Sequence, residues 1–290
     1  MTDARAFNKI ALIVEGGGMR GIFAAGVLDA FLEARFDPFS TYFGVSSGAD
    51  NLSSYIAGQL HRNYRIYTEL CTHPEFLNLR KYLLGGHFLD LDWLWQASME
   101  ALPFNIRAAM DHLRDREFYI VVTSLRSGKP MYLEPRADTW DHYLKASSSI
   151  PIMYRKVLDV EGQKVTDGGI SDSIPVQKAL ELGNSKMVVI RSRPLRGWRH
   201  SNFDARIMRF AFRRFPEMVI AINAMKERYD ASLRFMKRPP SGVKIIQIAP
   251  ERLETRRAHK DLASLQLDYE HGLEVGRASM KEIGSQFQLD

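Results

Sequence analysis

Apolar residues first gather at 9–15 (Lys-Ile-Ala-Leu-Ile-Val-Glu), a short β-rich run that predicts a buried first strand. Beyond a cluster of glycines the period changes. Ile22, Phe23, Gly26, Val27, Ala30 and Phe31 recur at helical spacing, so a helix is expected there. A second strand is predicted over 41–45, followed by a helix with Leu52, Tyr55 and Ile56 on one side. Further strands are expected at 117–124, 129–133, 155–160, 163–166, 186–191 and 243–248, with helical patterns between many of them. That alternation predicts the α/β class with a largely parallel sheet.

Two stretches depart from the simple pattern. Residues 74–110 are apolar and aromatic-rich, including Leu83-Leu84-Gly85-Gly86-His87-Phe88 and Trp93-Leu94-Trp95. Between Phe203 and Met236, the apolar residues Ile207, Phe210, Phe212, Phe215, Met218, Val219 and Ile222 interleave with Arg206, Arg209, Arg213 and Arg214. Pro216 predicts a break there into two helices. No repeat, low-complexity tract or linker stands out. One domain over 1–290 is expected, with a basic helical C-terminal part at about 195–290.

The bulk numbers narrow the class. At 290 residues and 45% hydrophobic, the chain can bury one large core. No run approaches the roughly 18–20 apolar residues of a membrane span. The apolar stretch near the N-terminus is too short for a signal-peptide core. Cys71 is the one cysteine, which rules out an internal disulfide and a cysteine-based zinc site. A soluble cytoplasmic protein is expected. Net charge is +6, unevenly spread: residues 191–260 hold 18 Lys and Arg against 6 Asp and Glu, a net +12 that leaves −6 for the remainder. Such asymmetry suggests an anionic partner, a membrane surface or a nucleic acid, against the plainer reading of a solvated helix face.

Chemistry enters with three glycine-bearing motifs. Gly44-Val45-Ser46-Ser47-Gly48 is a Gly-x-Ser-x-Gly turn at the end of a predicted strand, where glycines leave room for a sharp turn that exposes a serine hydroxyl. Gly16-Gly17-Gly18-Met19-Arg20-Gly21 follows a strand and opens a helix, so its amides converge where the helix dipole favours negative charge. The run also satisfies the dinucleotide fingerprint Gly-x-Gly-x-x-Gly. The second strand, however, ends at the serine turn and not at an acidic residue, and the Lys and Ser/Thr of a P-loop are missing. Asp167-Gly168-Gly169 ends a predicted strand, which leaves a carboxylate as the candidate base for Ser46 or simply a turn. A small polar run, Ala146-Ser147-Ser148-Ser149-Ile150-Pro151, precedes it.

In this order the three motifs resemble the patatin-like phospholipase family over essentially the whole chain. The resemblance implies a three-layer α/β/α fold with a mainly parallel central sheet. It also implies a lipid acyl hydrolase of phospholipase A or lysophospholipase type. Ser46 would be the nucleophile and Asp167 its base, with no catalytic histidine, no metal and no cofactor. Gly16, Gly17 and Gly18, helped by Arg20, would form the oxyanion hole; Gly44 and Gly48 would shape the nucleophile turn, and Gly168 and Gly169 the turn after the base. The implied partners are a phospholipid or other acyl-ester lipid and an anionic membrane surface at the periphery. One departure is Ala49-Asp50-Asn51 after the nucleophile turn, where family members usually continue with small or apolar residues.

Other readings stand beside this one. A Ser-His-Asp esterase would draw on His200, His259 or His271, although only one predicted strand precedes the Ser46 turn. A lipid-binding regulatory protein with little turnover is a second alternative. Nucleic-acid binding has no motif to support it. The 74–110 stretch is open to use as a lid, an acyl-chain channel or ordinary core.

Overall fold

In the computed structural model, which describes residues 9–195, 202–258 and 261–289, the glycine motif follows directly on the first strand. β1 (Ile10–Val14) leads through a 3-10 turn at Gly18–Arg20 into α1 (Gly21–Glu33). β2 (Thr41–Val45) runs into α2 (Ser47–Ile56), and α3 (Arg62–Arg65) follows. The aromatic-rich stretch then forms α4 (Leu79–Leu83), α5 (Leu91–Ala101) and α6 (Ile106–His112). Each of these three begins at a side-chain cap: Asn78, Asp90 and Asn105 accept from the amides of Lys81, Trp93 and Ala108 at 2.9, 3.0 and 3.1 Å. Next come β3 (Glu117–Ser124), β4 (Pro130–Leu133), α7 (Trp140–Ser147), β5 (Leu158–Val160) and β6 (Gln163–Asp167). The chain continues with α8 (Val176–Glu181), β7 (Lys186–Ile190), α9 (Asn202–Ala211), α10 (Pro216–Lys237), β8 (Lys244–Ile248) and α11 (Leu262–Phe287). Pro216 opens α10 at its first position, where its missing N–H costs no helical bond.

The strands form one sheet in the order β5-β6-β3-β2-β1-β7-β8, with β4 also paired to β3. β3, β2, β1, β7 and β8 are mutually parallel, while β4, β5 and β6 pair antiparallel. The predicted strands coincide with these within a few residues. β5 begins at Leu158, where its pairing to Val165 begins; the preceding Arg155 spends its amide on the His87 ring at 3.0 Å.

Side chains along β1 alternate between two apolar layers. Leu12 and Val14 pack with Phe23 and Val27 of α1, Leu52 of α2, Trp140 of α7 and Ile283 of α11. Ala11 and Ile13 pack with Val176 and Ala179 of α8 and with Tyr229 and Met236 of α10. The sheet is thus the middle layer of an α/β/α stack. α1 and α11 approach closely across glycines: a Cβ on Gly26 would lie 2.2 Å from the Tyr269 carbonyl oxygen, and one on Gly272 2.2 Å from that of Phe23. Among the described residues, no helix is long and apolar enough to cross a membrane.

Candidate active site

Register brings the three motifs to one edge of the sheet. Val14, the last residue of β1, lies opposite Gly44 of β2 and Ile190 of β7, and Asp167 of β6 lies opposite Val122 of β3. The glycine loop, the serine turn and the aspartate therefore emerge side by side.

Ser46 sits at the N-terminus of α2 with φ +52° and ψ −132°, a backbone state that side chains rarely adopt and that costs on the order of 1–3 kcal/mol. The surroundings hold it there. Its amide donates to Ser147 Oγ at 2.8 Å, Ser147 Oγ donates to the Val121 carbonyl at 2.6 Å, and its own carbonyl accepts from the Ala49 amide at 2.8 Å. The flanking glycines are required by close approach: a Cβ on Gly44 would lie 2.4 Å from Ala49 Cα, and one on Gly48 2.2 Å from the Val14 carbonyl oxygen.

Asp167 closes β6 and caps the turn after it. Its Oδ1 accepts from the Gly169 amide at 2.7 Å, and its carbonyl accepts from Thr123 Oγ1 at 2.8 Å. Burial pushes the carboxyl above the usual carboxylate range, opposed by hydrogen bonding with Ser46 and with the Gly169 amide and by the Arg257 charge. The 146–151 run ties both motifs together. Ser147 supports Ser46, while the Ser149 carbonyl accepts from the Asp167 amide at 3.3 Å and from Thr166 Oγ1 at 2.9 Å.

The glycine loop lies over Ser46. A Cβ on Gly16 would be 2.6 Å from the Val45 carbonyl oxygen. Gly17 donates its amide to Ser47 Oγ at 2.9 Å, and Met19 donates its amide to the Arg257 carbonyl at 3.1 Å, with Gly18 between them at φ +57°. The Gly17 amide, expected to face an oxyanion, is thus engaged by a hydroxyl that a ligand oxygen would have to displace. Arg20 is buried behind the loop and donates from Nε to the Gly17 carbonyl at 3.3 Å. Burial foremost, then repulsion from Arg193 and Arg257, brings its pKa down to about 9 against the pull of Glu15, so it stays cationic at neutral pH. Ser192 donates to the Gly16 carbonyl at 2.7 Å, and buried Glu15 accepts from the Ser192 amide at 3.0 Å and pairs with Arg193 at 3.3 Å.

Two cavities meet at Gly18, Ser46, Ile150 and Arg257. The first, about 120 Å³, recedes between α2, α5 and the segment before α4, past Ile66, Tyr67, Phe76, Leu89, Leu91 and Leu94. Its wall includes one polar patch, Asp50 with Arg62 and Asp141. Asp50 accepts from Ser148 Oγ at 3.0 Å, and burial pushes its carboxyl up to about 7, opposed by that hydrogen bond and by Arg62. The second cavity, about 1050 Å³, holds Asp167 and opens under α9, α10 and the 251–257 loop. Asp268 of α11 holds that loop, accepting from the amides of Glu254 and Thr255 at 3.1 and 2.8 Å.

Of the candidate histidines, His271 lines neither cavity; its ring accepts from the Glu251 amide at 3.4 Å and lies against Phe23. His200 and His259 lie outside the described residues. Arg209, from the basic segment, lines the wide cavity, whereas Arg206, Arg213 and Arg214 are exposed. Sequence reasoning missed Glu15, Ser192 and Arg257 as loop supports. Only Glu15 carried a signal, an acid placed directly between a buried strand and three glycines.

Comparison with known proteins places all three motifs inside one family match. The family model described as "Patatin-like phospholipase" matches residues 12–180, and one described as "Domain of unknown function (DUF6363)" matches 215–288. The Escherichia coli (strain K12) protein named "Uncharacterized protein YjjU" is 34% identical over 281 residues, covering 96% of this chain and 78% of that protein. "Patatin-like phospholipase domain-containing protein 7" of Rattus norvegicus is 24% identical over 190 residues, 63% of this chain but 13% of that protein. Among solved structures, VipD from Legionella pneumophila aligns with a TM-score of 0.48 at 12% identity, covering 97% of this chain and 67% of that one.

Proposed function

The chain belongs to the patatin-like phospholipase family, and from that premise we propose that it is a lipid acyl hydrolase whose nucleophile is Ser46 and whose general base is Asp167. The observation that carries this reading is the juxtaposition at one sheet edge of a strained, rigidly held serine and a buried carboxyl whose ionised form the serine side chain favours. In the ionised state Asp167 accepts the Ser46 proton as Oγ attacks the acyl carbonyl carbon. The α2 N-terminus, the Gly18 amide and the Gly17 amide once released from Ser47 Oγ stabilise the developing oxyanion. The proton on Asp167 passes to the departing alkoxide. Water then attacks the acyl-Ser46 ester with Asp167 again as base.

Glu15, Arg20 and Ser192 hold the loop that supplies these donors. The apolar recess beside Ser46 takes the acyl chain, which gives Phe76, Leu89, Leu91 and Leu94 a role in chain binding. A fluorophosphonate probe tests the assignment directly: it labels Ser46 in the wild-type protein, and a folded Ser46→Ala variant neither takes the label nor hydrolyses p-nitrophenyl esters. Hydrolysis at the wild-type rate by Ser46→Ala removes the nucleophile from the scheme.

A further inference from the structure

The wide cavity is paved with cations that catalysis does not consume. Arg20 and Arg193 stand at its floor beside the glycine loop, Arg209 and Lys226 on α9 and α10, and Arg252, Arg256 and Arg257 on the 251–257 loop; Asp167 and Glu251 are the acids facing them. Some of this charge is spent locally. Arg193 pairs with Glu15, and Lys226 with Asp230. Among the described residues, Arg209 meets the neutral Asn223 Oδ1, at 3.0 Å. Among the described residues, Arg252 and Arg256 have no ion-pair partner.

Six of the seven cations are arginines, whose planar donor fork fits phosphate oxygens two at a time. Arg252 and Arg256 are exposed, so this charge is open to an arriving ligand; concentrated along one cavity, it raises the local concentration of polyanions and repels a cationic head group. The opposite cavity at Ser46 offers one apolar recess. The wide cavity sets its arginines beside an apolar side made by Ile170, Met208, Ile222, Met225 and Leu253.

We propose that the ester cleaved at Ser46 joins the acyl chain in the apolar recess to a phosphate-bearing polyanionic leaving group, an inference that rests on Ser46 being the nucleophile. The acyl chain enters the apolar recess, and the phosphates settle on Arg252, Arg256 and Arg209. Ser46 Oγ bonds to the acyl carbon as its bond to the leaving oxygen or sulfur breaks. The serine proton travels by way of Asp167 to that leaving atom, and water then releases the carboxylic acid and restores the Ser46 hydroxyl. Two sources share this chemistry: a monoacyl glycerol phosphate and an acyl thioester of a nucleotide coenzyme.

The test compares kcat/KM of the full chain for four lauroyl compounds below their aggregation thresholds: monolauroyl glycerol, lauroyl glycerophosphocholine, lauroyl glycerol phosphate and lauroyl-coenzyme A. At least one of the two polyanions is expected to exceed the neutral and zwitterionic compounds by about thirtyfold or more, with the advantage shrinking as salt rises. Preference for the coenzyme thioester assigns the nucleotide source, and preference for the glycerol phosphate the lipid source. In Arg252→Gln/Arg256→Gln that advantage falls by about tenfold or more, chiefly through KM. Arg136→Gln, which removes an exposed arginine outside the cavity, keeps the advantage. Equal kcat/KM for monolauroyl glycerol, or an advantage untouched by the double substitution, overturns the assignment while leaving Ser46 as nucleophile. If none of the four is cleaved, nor any p-nitrophenyl ester, the hydrolase reading fails and the leaving-group assignment with it.

Discussion

The two sides of Ser46 are built from different material. Toward α5 the wall is apolar and narrow, made by residues 66–94 that lie between one sheet strand and the next. Toward α9 and α10 it is wide and basic, made by segments that follow β7 and β8. What the two sides share, Ser46 and the glycine loop, comes from the ends of β1 and β2 and is fixed by backbone contacts of the central sheet. On the proposed reading, bond cleavage and substrate choice are therefore separable on this chain. One would reside in strand ends fixed by the central sheet, the other in segments that lie between and after the strands.

Removing the proposed base of Ser46, which stands on the wide side alone, has the largest effect. Asp167→Asn lowers hydrolysis of every ester by roughly 10³-fold or more, and the Ser46→Ala/Asp167→Asn double variant is no worse than the weaker single one, because the two act as a unit. A pH–rate profile of the wild type loses activity on its acid side as Asp167 takes up a proton, at a pH above that of an ordinary aspartate because burial raises its pKa. Activity of folded Asp167→Asn within tenfold of wild type would break the assignment of a common centre.

Narrowing only the apolar wall comes next. Leu94→Phe places a ring in the recess and lowers the ratio of kcat/KM for decanoyl over butyryl p-nitrophenyl esters by about 10–100-fold. An unchanged ratio would show that the chain does not enter past Leu94.

A subtler change concerns the one acid in that wall that reaches α2. Asp50 titrates at about 7, above the range near pH 4 of a free carboxyl, so the folded protein retains a proton that the unfolded chain gives up. Stability tied to Asp50 is therefore lost as pH rises from about 4 to 7, and the full cost stands above 7. Asp50→Asn should raise Tm by about 5 °C at pH 8 and by little at pH 4. A Tm increment that is the same at both values would sink the titration argument.

The smallest effect is expected outside both walls. Replacing exposed Arg206, Arg213 and Arg214 by Glu should reduce sedimentation with phosphatidylglycerol vesicles by severalfold at low salt, in keeping with about 1 kcal/mol per basic residue near such a surface. Equal sedimentation would leave the basic charge acting inside the cavity alone.

Much of the sheet was legible because buried parallel strands are short continuous apolar runs, as in Ile10–Val14 and Lys186–Ile190. Pro216 likewise announced the start of α10. The 74–110 stretch was opaque because α4 is only a single turn or so and Leu79, Leu83 and Leu84 are exposed, so no amphipathic period survives. Its caps at Asn78, Asp90 and Asn105 were nonetheless readable as helix starts. At the site, motif residues announced themselves through glycines that the backbone cannot do without. Ser192 and Arg257 did not, because their contribution is a hydroxyl or a carbonyl delivered to the glycine loop from segments distant in sequence. Nor could charge counting tell that Arg209 lines the cavity while nearby Arg206, Arg213 and Arg214 face solvent.

The glycine seam between α1 and α11 and the place of β1 between β2 and β7 have a consequence for synthesis. As the chain leaves the ribosome, β1 and the serine turn emerge early, yet the strand that covers the other edge of β1 follows only at Lys186, and the helix that seats against Gly26 only after Leu262. Until then a nascent chain carries the three motifs beside a β1 edge that is apolar and still unpaired, a surface open to pairing with neighbouring chains. Production of folded protein should therefore depend on chaperones that hold this intermediate, and a chain halted near residue 180 should enter inclusion bodies even though its three glycine motifs are already present.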